Sequence, residues 1–275
     1  MQACGKIRIK HKERIKGKGE PMMNSFITPE DQISILIPCY NEEQTIAKVI
    51  EDFHDYLPEA NIYVYNNNST DRSVEEIEKT GHATLFNVSM QGKGAVVRQM
   101  FDDVNNGILQ GTIFLMTDAD CTYLAKDAWK LIQAVEEGAD MSIGDRLSSS
   151  YFEENKRPFH GIGNNLVRFL VNKLYHGDIK DIMTGYRGFS KKFIKSVSVK
   201  KDGFEIETEM TIKALKQGLK IKAVLIDYKD RPDGSKSKLN TLSDGKKVLC
   251  TIFEEYRLWI KEKRLERRNR KCQET

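Results

Sequence analysis

Apolar and polar positions along this chain follow two rhythms, and the change from one to the other marks out most of its elements. Ile33-Ser34-Ile35-Leu36-Ile37 is a short, nearly continuous apolar run ended by Pro38, the pattern of a strand buried on both faces. After a polar stretch, Cys39 to Glu43, the apolar residues Ile46, Val49, Ile50 and Phe53 recur at helical spacing. The same sequence of events repeats twice. Ile62 to Tyr65 is a second strand, and Asn66 to Asp71 is a polar loop able to cap the following helix. Ala83 to Val88 is a third strand, leading through Gly92-Lys93-Gly94 into a helix carrying Val96, Val97, Met100, Phe101 and Val104. Gly111 to Met116 is a fourth strand, with a helix over Leu124 to Glu137. Further on, Ala139 to Gly144 and Ile221 to Tyr228 read as strands, and Phe204 opens a helix to Gln217. Three β-then-α units in succession predict an α/β fold: a Rossmann-like, mostly parallel sheet with helices on both faces.

Two later segments carry more apolar surface than a covering helix needs. Leu242, Val248, Leu249, Ile252, Phe253, Tyr256, Trp259 and Ile260 fall within roughly 140° of a helix circumference, with Lys246, Arg257 and Arg264 along one edge. Phe159 to Leu174 spreads its apolar residues over about 200°. A Trp and a Tyr on such a stripe, flanked by cations, suit a helix lying in a membrane interface. The expected organisation is therefore a basic mobile arm over 1–30, a catalytic domain over 31–240, and an amphipathic interfacial helix with a basic tail over 241–275.

Charge sharpens this division. The net +4 conceals a +5 on residues 1–24 and another +5 on residues 257–275, leaving −6 for the stretch between. Cationic ends on an acidic body suit an anionic membrane surface. Nucleic acid is not expected as a partner, because the body is acidic and the basic arms carry few aromatics. The five cysteines, Cys4, Cys39, Cys121, Cys250 and Cys272, are scattered with no Cys-x-x-Cys, which argues against a disulfide framework or zinc site and fits a reducing cytoplasm. No run of about 18 apolar residues occurs, so neither a spanning helix nor a signal peptide is expected.

The candidate chemistry lies in the loops after the strands. Gly111 to Met116 delivers Asp118 and Asp120, two residues apart and so on one face of an extended segment. Such a pair suits a hard cation, Mg²⁺ or Mn²⁺, shared with the phosphates of a nucleotide. In open α/β sheets ligands bind beyond the carboxyl ends of the strands. Pro38 to Glu42, Asn66 to Asp71, Gly92 to Gly94 and Asp118 to Asp120 should thus line one crevice. Gly92-Lys93-Gly94 is not a P-loop, lacking the glycine spacing and the Ser/Thr that follows. Arg146 should stand beside the crevice, Ser148 to Pro158 should be a mobile cover, and Arg187 offers a planar fork for phosphate. Asp230 to Lys238 reads as a cationic loop able to fold over a diphosphate. Glu205, Glu207 and Glu209 sit in a first helical turn, where the helix dipole favours acids for structural reasons.

With these loops in place the chain resembles the family 2 glycosyltransferases of GT-A fold, most closely the polyprenyl-phosphate sugar synthases related to dolichol-phosphate mannose synthase. The matching stretches are Ile37 to Glu43, Asn67 to Asp71, Asp118-Ala119-Asp120, Gly144-Asp145-Arg146, Asp181 to Arg187 and Ser237-Lys238-Leu239. The resemblance implies that Pro38, Tyr40 and Glu42 line the nucleotide pocket, with Asn66, Asn67 and Lys93 beside them. It implies that Asp118 and Asp120 approach ribose, diphosphate and metal, and that Arg146, Arg231 and Lys238 meet phosphate charge. The catalytic set expected is Asp118, Asp120, Arg187, Arg231 and Lys238. Two departures stand out: Asn66-Asn67-Asn68-Ser69 replaces the usual Asp-Asp-Gly-Ser, and Thr122 occupies the place where some relatives complete the metal shell with Gln.

The activity so implied is inverting, metal-dependent transfer of a sugar from a nucleotide diphosphate to a polyprenyl phosphate by a peripheral enzyme at the cytoplasmic membrane face. A UDP-sugar, either N-acetylglucosamine or glucose, is the favoured donor, because Ser148 to Asn165 is more similar to bacterial undecaprenyl-phosphate enzymes than to the mannose synthases. Transfer from GDP-mannose to the lipid phosphate, and glycosylation of a sugar hydroxyl on a cell-surface glycan, are the alternatives. A membrane-protein partner or a homo-oligomer is compatible with either.

Overall fold

The computed structural model describes residues 32–148, 158–234, 238 and 240–273. The expected basic arm and most of the expected cover, residues 149–157, lie outside the described residues. Among those described, the strands are β1 (Ile33–Cys39), β2 (Asn61–Asn66), β3 (Ala83–Asn87), β4 (Ile113–Met116), β5 (Met141–Asp145), β6 (Arg187–Ser190) and β7 (Ile221–Leu225). The helices are α1 (Ile46–Tyr56), α2 (Ser73–Thr80), α3 (Lys93–Asn105), α4 (Ala128–Glu136), α5 (Pro158–Tyr175), α6 (Lys191–Ser196), α7 (Ile206–Lys216) and α8 (Thr241–Gln273).

The strands form one sheet in the order β3-β2-β1-β4-β6-β5-β7. Pairings β1–β2, β1–β4, β2–β3 and β5–β7 are parallel, and β6 runs antiparallel to both neighbours. Because β1 alternates faces, Ile33, Ile35 and Ile37 enter one core with Ile46, Val49, Ile50 and Phe53 of α1 and Leu131 and Ile132 of α4. Leu36 enters the opposite core with Val96, Val97, Met100 and Phe101 of α3 and residues of α5, α6 and α7. Two cores, one on each face, explain why β4 is apolar throughout and β1 nearly so, with Ser34 the exception.

Strand β6 was not expected, since Arg187-Gly188-Phe189-Ser190 has neither an apolar run nor alternation. Its place is made by packing. A Cβ on Gly188 would collide with Ser142 Oγ, so only glycine lets β6 lie against β5 there. Being antiparallel, β6 sends the loop before it, 181–186, to the edge where β1, β4 and β5 end. The loop carrying Asp181 and Gly185 thereby joins the crevice.

The first half of α8 packs into the molecule. Val248 and Ile252 are buried, Leu249, Tyr256 and Trp259 pack against the same core, and Tyr175 Oη of α5 donates to the Ile252 carbonyl at 2.6 Å. Much of the apolar stripe is thus core, and the large apolar residues left exposed are Leu242, Phe253, Leu258 and Leu265 on α8 and Leu166 and Phe169 on α5. From 261 to 270 the helix is exposed throughout. Among the described residues no helix is long and apolar enough to cross a membrane.

Candidate functional site

Asp118 and Asp120 follow β4, as the strand pattern anticipates, and each carboxylate meets a cation. Lys93 Nζ, at the start of α3, lies 2.6 Å from Asp118 Oδ1 and 2.7 Å from Glu207 Oε1 of α7. The Phe204 ring closes over the same ammonium at 5.9 Å. Burial opposes the charge on Lys93, but the two carboxylates outweigh it, so its pKa lies above the usual lysine range and the ammonium persists. Lys93 is delivered there by the close approach of α3 to the 200–203 segment. Gly94 N donates to the Asp202 carbonyl at 2.8 Å, and a Cβ on Gly92, whose φ is +126°, or on Gly94 would collide with backbone of that segment.

Asp120 is nearly buried, and both its oxygens are engaged. Thr122 donates to Oδ1 through its hydroxyl at 2.6 Å and its N–H at 3.2 Å, while Arg231 Nη2 lies 2.6 Å from Oδ2. Thr122 therefore orients the aspartate. Arg231 Nη1 also reaches Glu42 Oε1 at 3.3 Å, and Lys238 Nζ holds the same oxygen at 2.7 Å while donating to the Asn41 carbonyl. Burial raises the pKa of Glu42, and Lys238 and Arg231 work against that rise. Arg231 arrives because the segment before it is pinned: Tyr228 forms an isolated antiparallel bridge with Tyr123, and Lys229 N donates to the Thr122 carbonyl at 3.0 Å.

The loop before β6 supplies the floor. A Cβ on Gly185 would come within 2.5 Å of Asp118 Oδ2, so glycine is required for the aspartate to sit where it does. Tyr123 Oη accepts from Gly185 N at 2.8 Å and from Thr184 Oγ1 at 3.3 Å, tying the two loops together. Arg146 forms a two-pronged pair with the fully buried Asp181, at 2.7 and 3.0 Å, and lies 5.3 Å above the Tyr228 ring. Burial opposes its charge, and Asp181 more than restores it.

Pro38, Tyr40, Glu42, Lys93, Asp118, Asp120, Arg231 and Lys238 are thus gathered at one edge of the sheet, with Tyr40 exposed and Pro38 half-buried. Arg187 is not. It is fully buried on β6, donating to the Thr184 and Ile182 carbonyls and to Thr211 Oγ1, and burial lowers its pKa to about 10. Its guanidinium ties the crevice floor to α7, and it offers no fork to a phosphate. Asn67 is likewise spent internally. Nδ2 donates to the Val88 and Met90 carbonyls at 3.1 and 2.7 Å, and Oδ1 accepts from Gly92 N and Gln91 Nε2 at 2.7 and 3.2 Å, which exhausts an amide. Asn66 bonds Asn87 Oδ1 and Ser69 N. These amides shape the pocket wall and leave base contact to other groups. Tyr123 is a site residue that no residue pattern points to, and the patterns that contain Glu207, Asp181 and Gly185 do not say that these are the members that reach the crevice. Of Glu205, Glu207 and Glu209, Glu209 is consumed by the Lys200 and Lys201 N–H groups and Lys213.

The donor set suits a hard cation in part. Asp118 and Asp120 supply oxygen ligands, and no third His, Cys, Asp or Glu completes a metal cluster among the described residues. An ion held here would take its remaining ligands from a bound diphosphate.

Fold and crevice together define a nucleotide-sugar-dependent transferase. Residues 34–198 match the model of glycosyl transferase family 2, and the chain belongs to that family. It is 36% identical over 223 residues to the glycosyltransferase AglJ of Haloferax volcanii, covering 81% of this chain and 71% of that protein. It is 25% identical over 236 residues to the polyprenol monophosphomannose synthase of Mycolicibacterium smegmatis, covering 81% and 86%. Among solved structures it is similar to the glucosyl-3-phosphoglycerate synthase of Mycobacterium tuberculosis crystallised with Mn²⁺, UDP-glucose and phosphoglyceric acid. There the TM-score is 0.67, the identity 19% and the coverage 82% of this chain and 80% of that one, a likeness of fold. The fold is GT-A.

Proposed function

We propose that the protein transfers a sugar, with inversion, from a UDP-sugar to a polyprenyl phosphate at the cytoplasmic face of the membrane. The observation that carries this reading is the cluster of Lys93, Arg231 and Lys238 around Asp118, Asp120 and Glu42, three cations paired with the carboxylates that would share a metal with a diphosphate. Relatives named for polyprenol phosphate and dolichyl phosphate support the acceptor class. The Mn²⁺ and UDP-glucose of the mycobacterial synthase support a UDP-sugar and a divalent cation.

Asp118 and Asp120 would hold Mg²⁺ or Mn²⁺, which supplies positive charge to the departing diphosphate. Arg231 and Lys238 add positive charge beside it, in a site whose burial strengthens such interactions. Tyr40 offers an exposed ring at the pocket mouth for the base. The nucleophile is the acceptor phosphate, whose second pKa of about 6 leaves it mostly dianionic at neutral pH, so that it needs holding rather than deprotonation. Its oxygen bonds the anomeric carbon as the bond to the nucleotide diphosphate breaks. The exposed Phe253, Leu258 and Phe169 and the basic end of α8 suit docking on an anionic bilayer, where a polyprenyl phosphate resides.

Transfer to a sugar hydroxyl would instead need a carboxylate base. Glu205 favours that reading, because its Oε2 is buried without a hydrogen-bond partner next to Phe204. The deciding experiment is incubation with UDP- and GDP-sugars, Mg²⁺ or Mn²⁺, and undecaprenyl or dolichyl phosphate, followed by mass spectrometry of the lipid fraction. A glycosylated lipid phosphate formed from a UDP-sugar is expected. Turnover only with a glycan acceptor would replace the lipid reading.

A further inference from the structure

The two aspartates are neutralised in matching ways. Asp118 shares Lys93 with Glu207, at 2.6 and 2.7 Å, and Asp120 shares Arg231 with Glu42, at 2.6 and 3.3 Å. Each aspartate that would ligate the metal is paired with a cation from another element, and each cation has a second acid that is itself buried. A divalent ion approaching Asp118 and Asp120 therefore meets carboxylates already neutralised. It binds only if the resident cations give way.

We propose that Lys93 and Arg231 are resident counter-ions of the aspartate pair, and that Glu207 and Glu42 are positioning residues that retain them when the metal arrives. The Lys93 side chain is only 11% exposed, and the two acids are its ion-pair partners. With the ion on Asp118, the ammonium remains neutralised by Glu207, and no unpaired charge is created in the interior. Arg231 has a second destination, since a bound diphosphate presents anionic oxygens that a guanidinium fork matches. The nucleotide thus releases Asp120 to the metal by drawing Arg231 onto its phosphates. Metal and nucleotide then bind together, and metal alone binds poorly, because each ligand removes a cost the other would otherwise meet. Lys238, which also holds Glu42, keeps that acid neutralised while Arg231 is away. A role is thereby assigned to Glu207, which touches neither aspartate and acts on Asp118 through Lys93.

This inference rests on the aspartate pair being the metal site of the proposed transferase, and Mn²⁺ binding read by electron paramagnetic resonance on the full chain tests the two separately. For the wild type, Mn²⁺ alone is expected to bind weakly and Mn²⁺ with UDP tightly. Arg231→Gln should tighten binding of Mn²⁺ alone by about tenfold or more, the scale of one charge removed at contact distance in a partly buried site. Glu207→Gln, nearly isosteric, should weaken Mn²⁺ binding in the presence of UDP by about tenfold, because Lys93 is then held by Asp118 alone. A purely structural Glu207 would lower the melting temperature and leave the Mn²⁺ affinity unmoved. Normal Mn²⁺·UDP binding by the wild type, with Arg231→Gln no tighter for Mn²⁺ alone, overturns the exchange and leaves the transferase reading intact. Unchanged affinity in Glu207→Gln overturns it equally, and the arginine variant decides alone should the glutamate variant not fold. A wild type that binds no Mn²⁺ even with UDP overturns the transferase reading and the exchange together.

Discussion

Arg187 and Asp120 are both charged residues in motif-like surroundings, and burial separates their roles. Asp120 lies in the loop after β4, with one oxygen oriented by Thr122 and the other paired with Arg231. Arg187 is sealed in the sheet with its N–H groups on two carbonyls and a threonine hydroxyl. Asp120→Asn should therefore abolish transfer while circular dichroism and the urea midpoint stay near wild type. Arg187→Met should do the reverse. It leaves buried carbonyls without donors, at about 1–3 kcal/mol each, so the urea midpoint falls while activity per folded molecule is largely retained. An Arg187→Met protein of native stability with lost donor or acceptor binding would show that the guanidinium does reach ligand. From sequence, a Thr-Gly-Tyr-Arg turn and a phosphate-binding arginine look alike, because burial is a property of the neighbours that β4, β5 and α7 bring.

Among the elements, β6 and α8 show how context reassigns a pattern. β6 carries too few apolar residues to announce itself, yet its antiparallel insertion between β4 and β5 carries Asp181 and Gly185 to the crevice. α8 carries a stripe that reads as membrane-facing, yet Val248 and Ile252 are spent on the core. What remains on α8 for a bilayer is the exposed Leu242, Phe253, Leu258 and Leu265 with the cations of 257–270. Cations near an anionic leaflet contribute about 1 kcal/mol each, so the +5 of residues 257–275 amounts to as much as about 5 kcal/mol before screening. The protein should float with anionic liposomes at low salt and partly detach at high salt. Removing residues 261–275, beyond the last core contact at Trp259, should abolish flotation while preserving Mn²⁺·UDP binding. Sedimentation of the full chain with the pellet at low salt would count against a peripheral enzyme.

At the scale of the whole molecule, the crevice joins residues nearly two hundred positions apart, Glu42 with Arg231 and Lys238. Ligand bound there bridges both ends of the sheet, so its stabilisation should be global. Mn²⁺ with UDP at about 100 times the dissociation constant contributes about 2.7 kcal/mol to the folded state. For a domain of this size that raises the melting temperature by roughly 4–8 °C in a single transition. Chelation with EDTA should return the melting temperature most of the way to its unliganded value. A shift confined to a minor early transition would mean that the ligand contacts one half only.

The sequence by itself determined the β–α alternation, the parallel half of the sheet, the Asp118–Asp120 pair after β4 and the loops that meet it. These follow from local periodicity and from the rule that such loops share one edge of the sheet. Only the tertiary structure decided which charges face ligand and which face protein. Asn67 exhausts its hydrogen bonds inside and Arg187 spends its own on protein groups, whereas Glu207, one of three similar acids at the start of α7, lands on Lys93. That selection depends on where helices and loops dock, a matter of packing between residues distant in the chain, and a charged side chain carries no local mark of its partner.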